Sequence, residues 1–267
     1  MTLATQEDSL GKDLPIGAHH YRAWVGSPKI YDIMSSTQFS LLTFLGLREH
    51  HYLLDVGCGS LRAGRLFIPY LLKGRYFGIE PEQWLIEDGI KNHVGEDLVR
   101  IKQPTFSNDS NFTLTTFGQQ FDFVVAQSIF SHAAQSQISR CLSEAKEAMN
   151  STGVFVANFA EGEQNYSGSE WVYPGLARYS FEYLARLAQD QGLSCTRLDW
   201  PRLNTLTWVA CVHPEHLTNL PKLGNVDATR LSFLEQELRL CRKRLSDIEN
   251  HPYVRLGLKV RRFMNRM

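Results

Sequence analysis

Leu53-Leu54-Asp55-Val56-Gly57-Cys58-Gly59-Ser60-Leu61-Arg62-Ala63-Gly64 is the stretch that decides the fold. An apolar strand ends in an acidic residue, bends through two glycines and enters a helix. Glycine carries no Cβ, so the backbone at positions 57 and 59 can approach a ligand closely. In open α/β sheets, ligands sit at the carboxyl ends of the strands, where the strand order reverses. A second strand, Tyr76-Phe77-Gly78-Ile79, ends in Glu80, twenty-one residues beyond Gly59.

Outward from this turn, short apolar runs alternate with amphipathic ones. Strands are expected at 52–56, 76–79, 99–102, 121–126, 154–158, 194–199 and 205–212, and helices at 62–72, 83–94, 137–149 and 180–191. Such alternation predicts an α/β fold, a doubly wound sheet with helices on both faces. Only residues 201–204 separate the last two strands. So short a connection cannot cross over, and these two should pair antiparallel. Upstream, 28–48 reads as a helix burying Ile30, Ile33, Met34, Leu41, Leu42, Leu45 and Leu47, preceded by an arm over 1–18.

Three segments follow: an N-terminal arm and helical cap (1–50), the sheet domain (51–214), and a C-terminal region (226–267) after a linker. In the last, Leu231, Leu234, Leu238, Cys241, Leu245 and Ile248 are spaced three and four apart. That is a short heptad seam, suited to a homodimer or to packing on the core. Past Pro252, the cations Arg255, Lys259, Arg261, Arg262 and Arg266 stand opposite Tyr253, Leu256, Val260, Phe263 and Met267. A basic amphipathic helix over 252–267 could lie on an anionic bilayer, against the alternative of a solvated tail.

The 28 Lys and Arg balance the 28 Asp and Glu, which gives the whole chain no electrostatic reason to bind nucleic acid. At 43% hydrophobic and 21% charged residues, the composition excludes a disordered chain. Five scattered cysteines, without Cys/His spacing for zinc, indicate neither a disulfide scaffold nor a metal site. No secretory signal opens the sequence and no apolar run reaches the ~18 residues of a spanning helix. A cytoplasmic protein is expected, peripheral at the inner face of the membrane if the tail binds lipid.

The glycine register bears on the ligand. A dinucleotide site prefers G-x-G-x-x-G, whereas here Gly64 follows Gly59 by five residues. A carboxylate ahead of the turn would repel a pyrophosphate but attract an ammonium or sulfonium. Glu80 can accept hydrogen bonds from both ribose hydroxyls. S-adenosylmethionine meets these conditions, and NAD meets them less well.

The D-V-G-C-G turn, the acidic end of the second strand, the run Phe121-Asp122-Phe123-Val124-Val125-Ala126-Gln127-Ser128 and the closing hairpin together resemble the class I S-adenosylmethionine-dependent methyltransferases, over about 52–213. The resemblance implies a seven-stranded sheet of order 3-2-1-4-5-7-6. It implies that Asp55, Gly57 and Gly59 surround the methionine part of the cofactor, with Glu80 on the ribose. Cys58, Pro81, Gln127 and Ser128 complete the expected cofactor set, and Asn108, with Asp109 and Phe112, is the candidate for adenine. Pro81 also suits the first turn of the next helix, with no other role.

Methyl transfer to a hydroxyl needs a base, and His132, just past the fourth strand, is the candidate. A loop-fixing histidine is the alternative. The long loop 160–175 offers Tyr166, Trp171 and Tyr173 for a sugar or a flat aromatic ring, against the alternative of a lid that only excludes water. The arm offers Tyr21, with Arg22 suited to an anionic substrate or the cofactor carboxylate. The expected activity is methyl transfer to a hydroxyl of a glycan, lipid-linked or small-molecule acceptor. The alternatives are a cofactor-binding protein without catalysis and an NAD-dependent oxidoreductase.

Overall fold

The computed structural model describes residues 10–201 and 205–222. The chain divides into two units, Met1–Pro221 and Lys222–Met267, and the fold below is that of the first. The heptad seam (231–248) and the basic segment (252–267) lie outside the described residues.

A single 3-10 turn, Pro28–Ile30, leads into α1 (Tyr31–Phe44). Proline suits the first position, where its missing N–H costs nothing. Asp32 sits in the first turn, where its charge complements the helix dipole. Tyr31, Met34, Leu41 and Leu42 form the buried face. The helix stops short of the expected residue 48, because Gly46 turns the chain at φ +111°.

All four residues of β1 (Leu53–Val56) are buried, as a central parallel strand requires. The chain then runs through α2 (Gly64–Tyr70), β2 (Tyr76–Ile79) and α3 (Gln83–Gly89), which continues into a π-helical turn, Ile90–Val94.

The next segment corrects the sequence reading. Residues 99–102, expected as the third strand, belong to a helix, α4 (Glu96–Lys102). Glu96 and Asp97 occupy its first turn and Arg100 and Lys102 its last. That charge order complements the helix dipole and outweighs the β-branched Val99 and Ile101. The true third strand is β3 (Thr105–Ser107), directly after Pro104, which holds the preceding residue out of the helical region where Gln103 ends α4.

β4 (Phe121–Ala126) and α5 (Gln135–Ala148) follow, with the Gln137 side chain accepting the Ala134 N–H at 2.8 Å to cap the helix. β5 runs Met149–Glu161, well beyond the expected 154–158. Its first residues meet β4 across an irregular register, where Asp122 binds the Tyr52 N–H and the Asn150 amide, each at 2.7 Å. A two-residue strand, β6 (Arg178–Tyr179), precedes α6 (Phe181–Asp190), β7 (Ser194–Leu198) and β8 (Leu206–Val212).

The sheet order is β3-β2-β1-β4-β5-β8-β7, with β6 beside β5. Apart from β6, this is the expected 3-2-1-4-5-7-6. β8 is antiparallel to both neighbours, and every residue in it is buried. Against one face pack Ile138, Leu142, Leu184 and Leu187 of α5 and α6, meeting Phe121, Phe155 and Phe159. The order reverses between β1 and β4, so the loops leaving β1, β2 and β4 converge on one crevice. Among the described residues, no helix is long and apolar enough to cross a membrane.

Candidate functional site

The crevice is a cleft of about 860 Å³, within the roughly 300–1,000 Å³ of small-molecule sites. Its floor is the glycine turn. Gly57 and Gly59 have φ of +70° and +54°, a region costly for any residue with a Cβ. A Cβ on Gly57 would lie 2.2 Å from Ile129 Cδ1, and one on Gly59 would lie 2.6 Å from Val25 Cγ1. The turn is locked to β2 by the Gly57 and Cys58 N–H groups, which donate to the Ile79 carbonyl at 2.8 and 3.0 Å.

Two carboxylates border this floor. Glu80 accepts the Gly59 N–H at 2.9 Å on one oxygen and the Glu82 N–H at 3.1 Å on the other. Burial pushes its pKa up to about 7, against the pull of these two donors. Asp55 accepts the Tyr76 hydroxyl at 2.8 Å, and burial raises it to about 6. A cationic ligand beside both would restore the charge that burial disfavours.

Arg62 supplies the opposite sign. Its guanidinium donates to the Val25 carbonyl at 2.7 Å and to the Gln127 side-chain oxygen. Burial lowers its pKa, and among the described residues no carboxylate lies within ion-pair distance. Gln127 in turn donates to Ser128 Oγ at 2.5 Å. The Ser128 N–H donates to Asn158 Oδ1 at 2.6 Å, holding Ser128 at φ +62°.

On the far side stands His132, 7% exposed. Its Nδ1–H donates to the Gly175 carbonyl at 2.7 Å, a bond that fixes the tautomer and leaves Nε2 as the acceptor. Burial lowers its pKa, and the Gly175 bond opposes that shift. Tyr173 meets its ring edge-on at 4.9 Å between centroids, and Trp171 lies at 5.6 Å. The Tyr173 hydroxyl donates to the Trp24 carbonyl, joining the 162–177 loop to the arm. The arm forms the roof: His19 stacks on Trp84 at 4.4 Å, and Trp24 meets Trp84 edge-on at 5.7 Å.

Residues 54–155, from β1 into β5, match the model of a methyltransferase domain family. That match spans the glycine turn, Glu80 and the strands that flank the cleft. No curated protein matches the sequence. Solved structures share the fold. Magnesium protoporphyrin IX methyltransferase from Synechocystis PCC 6803, with bound S-adenosylhomocysteine, superposes with a TM-score of 0.52 at 14% identity, over 70% of this chain and 84% of that one. The CcbJ methyltransferase from Streptomyces caelestis gives 0.52 at 14% identity, over 71% and 97%. The glycopeptide N-methyltransferase MtfA, in complex with S-adenosylhomocysteine, gives 0.52 at 14% identity, over 68% and 90%.

Of the residues expected from the sequence, Asp55, Gly57, Cys58, Gly59, Glu80, Pro81, Gln127 and Ser128 all line the cleft, as do His132, Trp171 and Tyr173. Four expected residues do not. Asn108 spends its amide on the Glu80 carbonyl at 2.8 Å, bracing the end of β2, and Asp109 and Phe112 reach the wall in its place. Arg22 pairs with Asp32 at 3.1 Å and lies over the Tyr31 ring, and Tyr21 faces Tyr31 and His93. The Tyr166 hydroxyl donates to the Glu170 carbonyl at 3.2 Å.

Arg62, Val25 and Ile129 were not read from the sequence as site residues. Arg62 offered one signal, a cation three residues past Gly59 in the quoted turn. Val25 and Ile129 offered none, since their role is to occupy the space that the glycines leave.

Proposed function

We propose that the chain is an S-adenosylmethionine-dependent methyltransferase acting on a hydroxyl of a glycan, lipid-linked or small-molecule acceptor. The observation that carries this reading is the charge pattern of one cleft: Asp55 and Glu80 beside the glycine turn, and Arg62 without a carboxylate partner among the described residues. The wall fits such a cofactor. Carboxylates suit its ammonium, sulfonium and ribose hydroxyls, a guanidinium suits its carboxylate, and glycines stand where a Cβ has no room.

When bound, the cofactor supplies a methyl group on a positively charged sulfur. Glu80 accepts the ribose hydroxyl hydrogens on the lone pairs that Gly59 and Glu82 leave open. Arg62 holds the cofactor carboxylate. His132 Nε2 takes the proton that an acceptor hydroxyl releases, and the Gly175 carbonyl keeps the ring oriented for that transfer. The roof of Trp24 and Tyr173 excludes water.

Calorimetric titration of the full chain with S-adenosylhomocysteine and, separately, with NAD tests the reading. Binding of the first alone is expected. Binding of NAD without S-adenosylhomocysteine would overturn it. From the sequence pattern alone, we also propose that 231–248 pairs with a second copy and that 252–267 contacts anionic bilayers. Sedimentation velocity and co-sedimentation with phosphatidylglycerol vesicles test these; a monomer that stays off the vesicles would refute both.

A further inference from the structure

The cleft has two chemically distinct halves. Of its charged wall residues, Asp55 lies in β1, and Arg62, Glu80, Glu82 and Asp109 follow β1, β2 or β3. Beyond β4 the wall is built from residues such as Ser131, His132, Trp171, Tyr173, Leu176 and Leu206. Among the described residues, that half contains no Asp, Glu, Lys or Arg.

Aromatic rings run along it in a connected series. Trp24 lies 6.3 Å from Tyr173, Tyr173 4.9 Å from His132, and His132 5.6 Å from Trp171. The mouth is apolar as well: Ile16, Trp171 and Leu176 are 50%, 42% and 44% exposed, and all three line the cleft. Apolar side chains gathered at a cavity mouth mark a binding surface. Polar side chains of Gln127, Ser128, Ser131, His132, Gln137 and Thr205 also reach this half. Two of them are neighbours beside the aromatic series: His132, whose Nε2 is left as acceptor, and Ser131, whose Oγ is buried with no hydrogen-bond partner among the described residues.

We infer that the acceptor is an uncharged aromatic alcohol, its ring against Trp171 and Tyr173 and its hydroxyl directed to Ser131 and His132. This rests on the methyltransferase reading above and narrows it. Flat rings gain from stacked and edge-on contacts with such a wall. A sulfonated or phosphorylated acceptor would find no cation in this half to replace its lost hydration. A sugar would bring several hydroxyls against the apolar mouth of Ile16, Trp171 and Leu176, which offers them no hydrogen bond.

The test is calorimetry on the full chain loaded with S-adenosylhomocysteine, titrated with naphthol, hydroxynaphthalenesulfonate and methyl glucoside. Naphthol is expected to bind, with the other two at least about tenfold weaker. Trp171→Ala is expected to weaken naphthol binding by about tenfold, Trp171→Phe to recover most of it, and both to bind S-adenosylhomocysteine as the native chain does. Failure of naphthol to bind the loaded protein would overturn the acceptor assignment alone. So would tighter binding of the sulfonate or the glucoside, or an unchanged affinity in Trp171→Ala. Failure of S-adenosylhomocysteine itself to bind would overturn the cofactor reading and this inference with it.

Discussion

Asp55 and Glu80 are carboxylates held in a place that disfavours their charge, and both pKa values rise because of burial. Their place in the cleft was legible in the sequence because the signal is local: a strand end, a glycine bend, and a second acid at the tip of the next strand. Arg62 was not, because its meaning depends on partners distant in the sequence, Val25 of the arm and Gln127 after β4. Asn108 misled for the same reason, its amide being spent on a backbone carbonyl that no sequence pattern reveals. Arg62→Met is expected to weaken S-adenosylhomocysteine binding by about tenfold or more, as for a lost charge-assisted hydrogen bond, while adenosine, which has no carboxylate, loses nothing. Competition calorimetry with the two ligands checks this; parallel losses would contradict it. His132→Gln is expected to lower kcat by roughly 10²–10⁴ with S-adenosylhomocysteine affinity unchanged. Turnover with naphthol measures it, and an undiminished kcat would remove His132 as the base.

At the scale of elements, the β1 turn and the arm depend on each other. Val25 occupies the space where a Gly59 Cβ would stand, and the Tyr173 hydroxyl ties the 162–177 loop to the Trp24 carbonyl. Gly59→Ala sets a Cβ 2.6 Å from Val25 Cγ1 at a positive φ. A loss of about 1–3 kcal/mol in urea denaturation is expected, with faster hydrogen exchange over 16–27. Native stability would contradict the proposed packing of arm on turn. Strands and helices whose hydrophobic period was clear were placed well. The expected strand at 99–102 failed because Val99 and Ile101 alternate like a strand, whereas the end charges and Gly95 make a helix over Glu96–Lys102, with Ile101 54% exposed. The arm was expected to offer Tyr21 and Arg22 to the acceptor, yet His19 and Trp24 are the residues that build the roof, through contacts with Trp84 that exist only in the folded chain.

For the whole molecule, the direction of the main strands followed from alternation and one short connection and their order from the family resemblance, while the two-residue β6 was too brief to leave a pattern. The buried titratable groups set how stability responds to pH. Asp55 and Glu80 have folded pKa values above their ordinary ones, so their contribution is full below about pH 4 and is lost as pH rises to about 7. His93, lowered by burial to about 4, and His132, also lowered, act in the opposite sense, their contribution being lost as pH falls below about 6. Thermal melts of the ligand-free chain are expected to show less decline between about pH 5 and pH 8 in Glu80→Gln than in the native protein. Equal declines would mean that Glu80 is not the group that titrates.

The most direct measurement is the affinity for S-adenosylhomocysteine as a function of pH, in the native chain and in Glu80→Gln. Native affinity is expected to climb as pH rises through about 7, where Glu80 gains its charge, and Glu80→Gln to bind at least about tenfold more weakly with a flatter profile. Native-like affinity in Glu80→Gln, or no binding by the native chain at any pH, would contradict the assignment of this cleft.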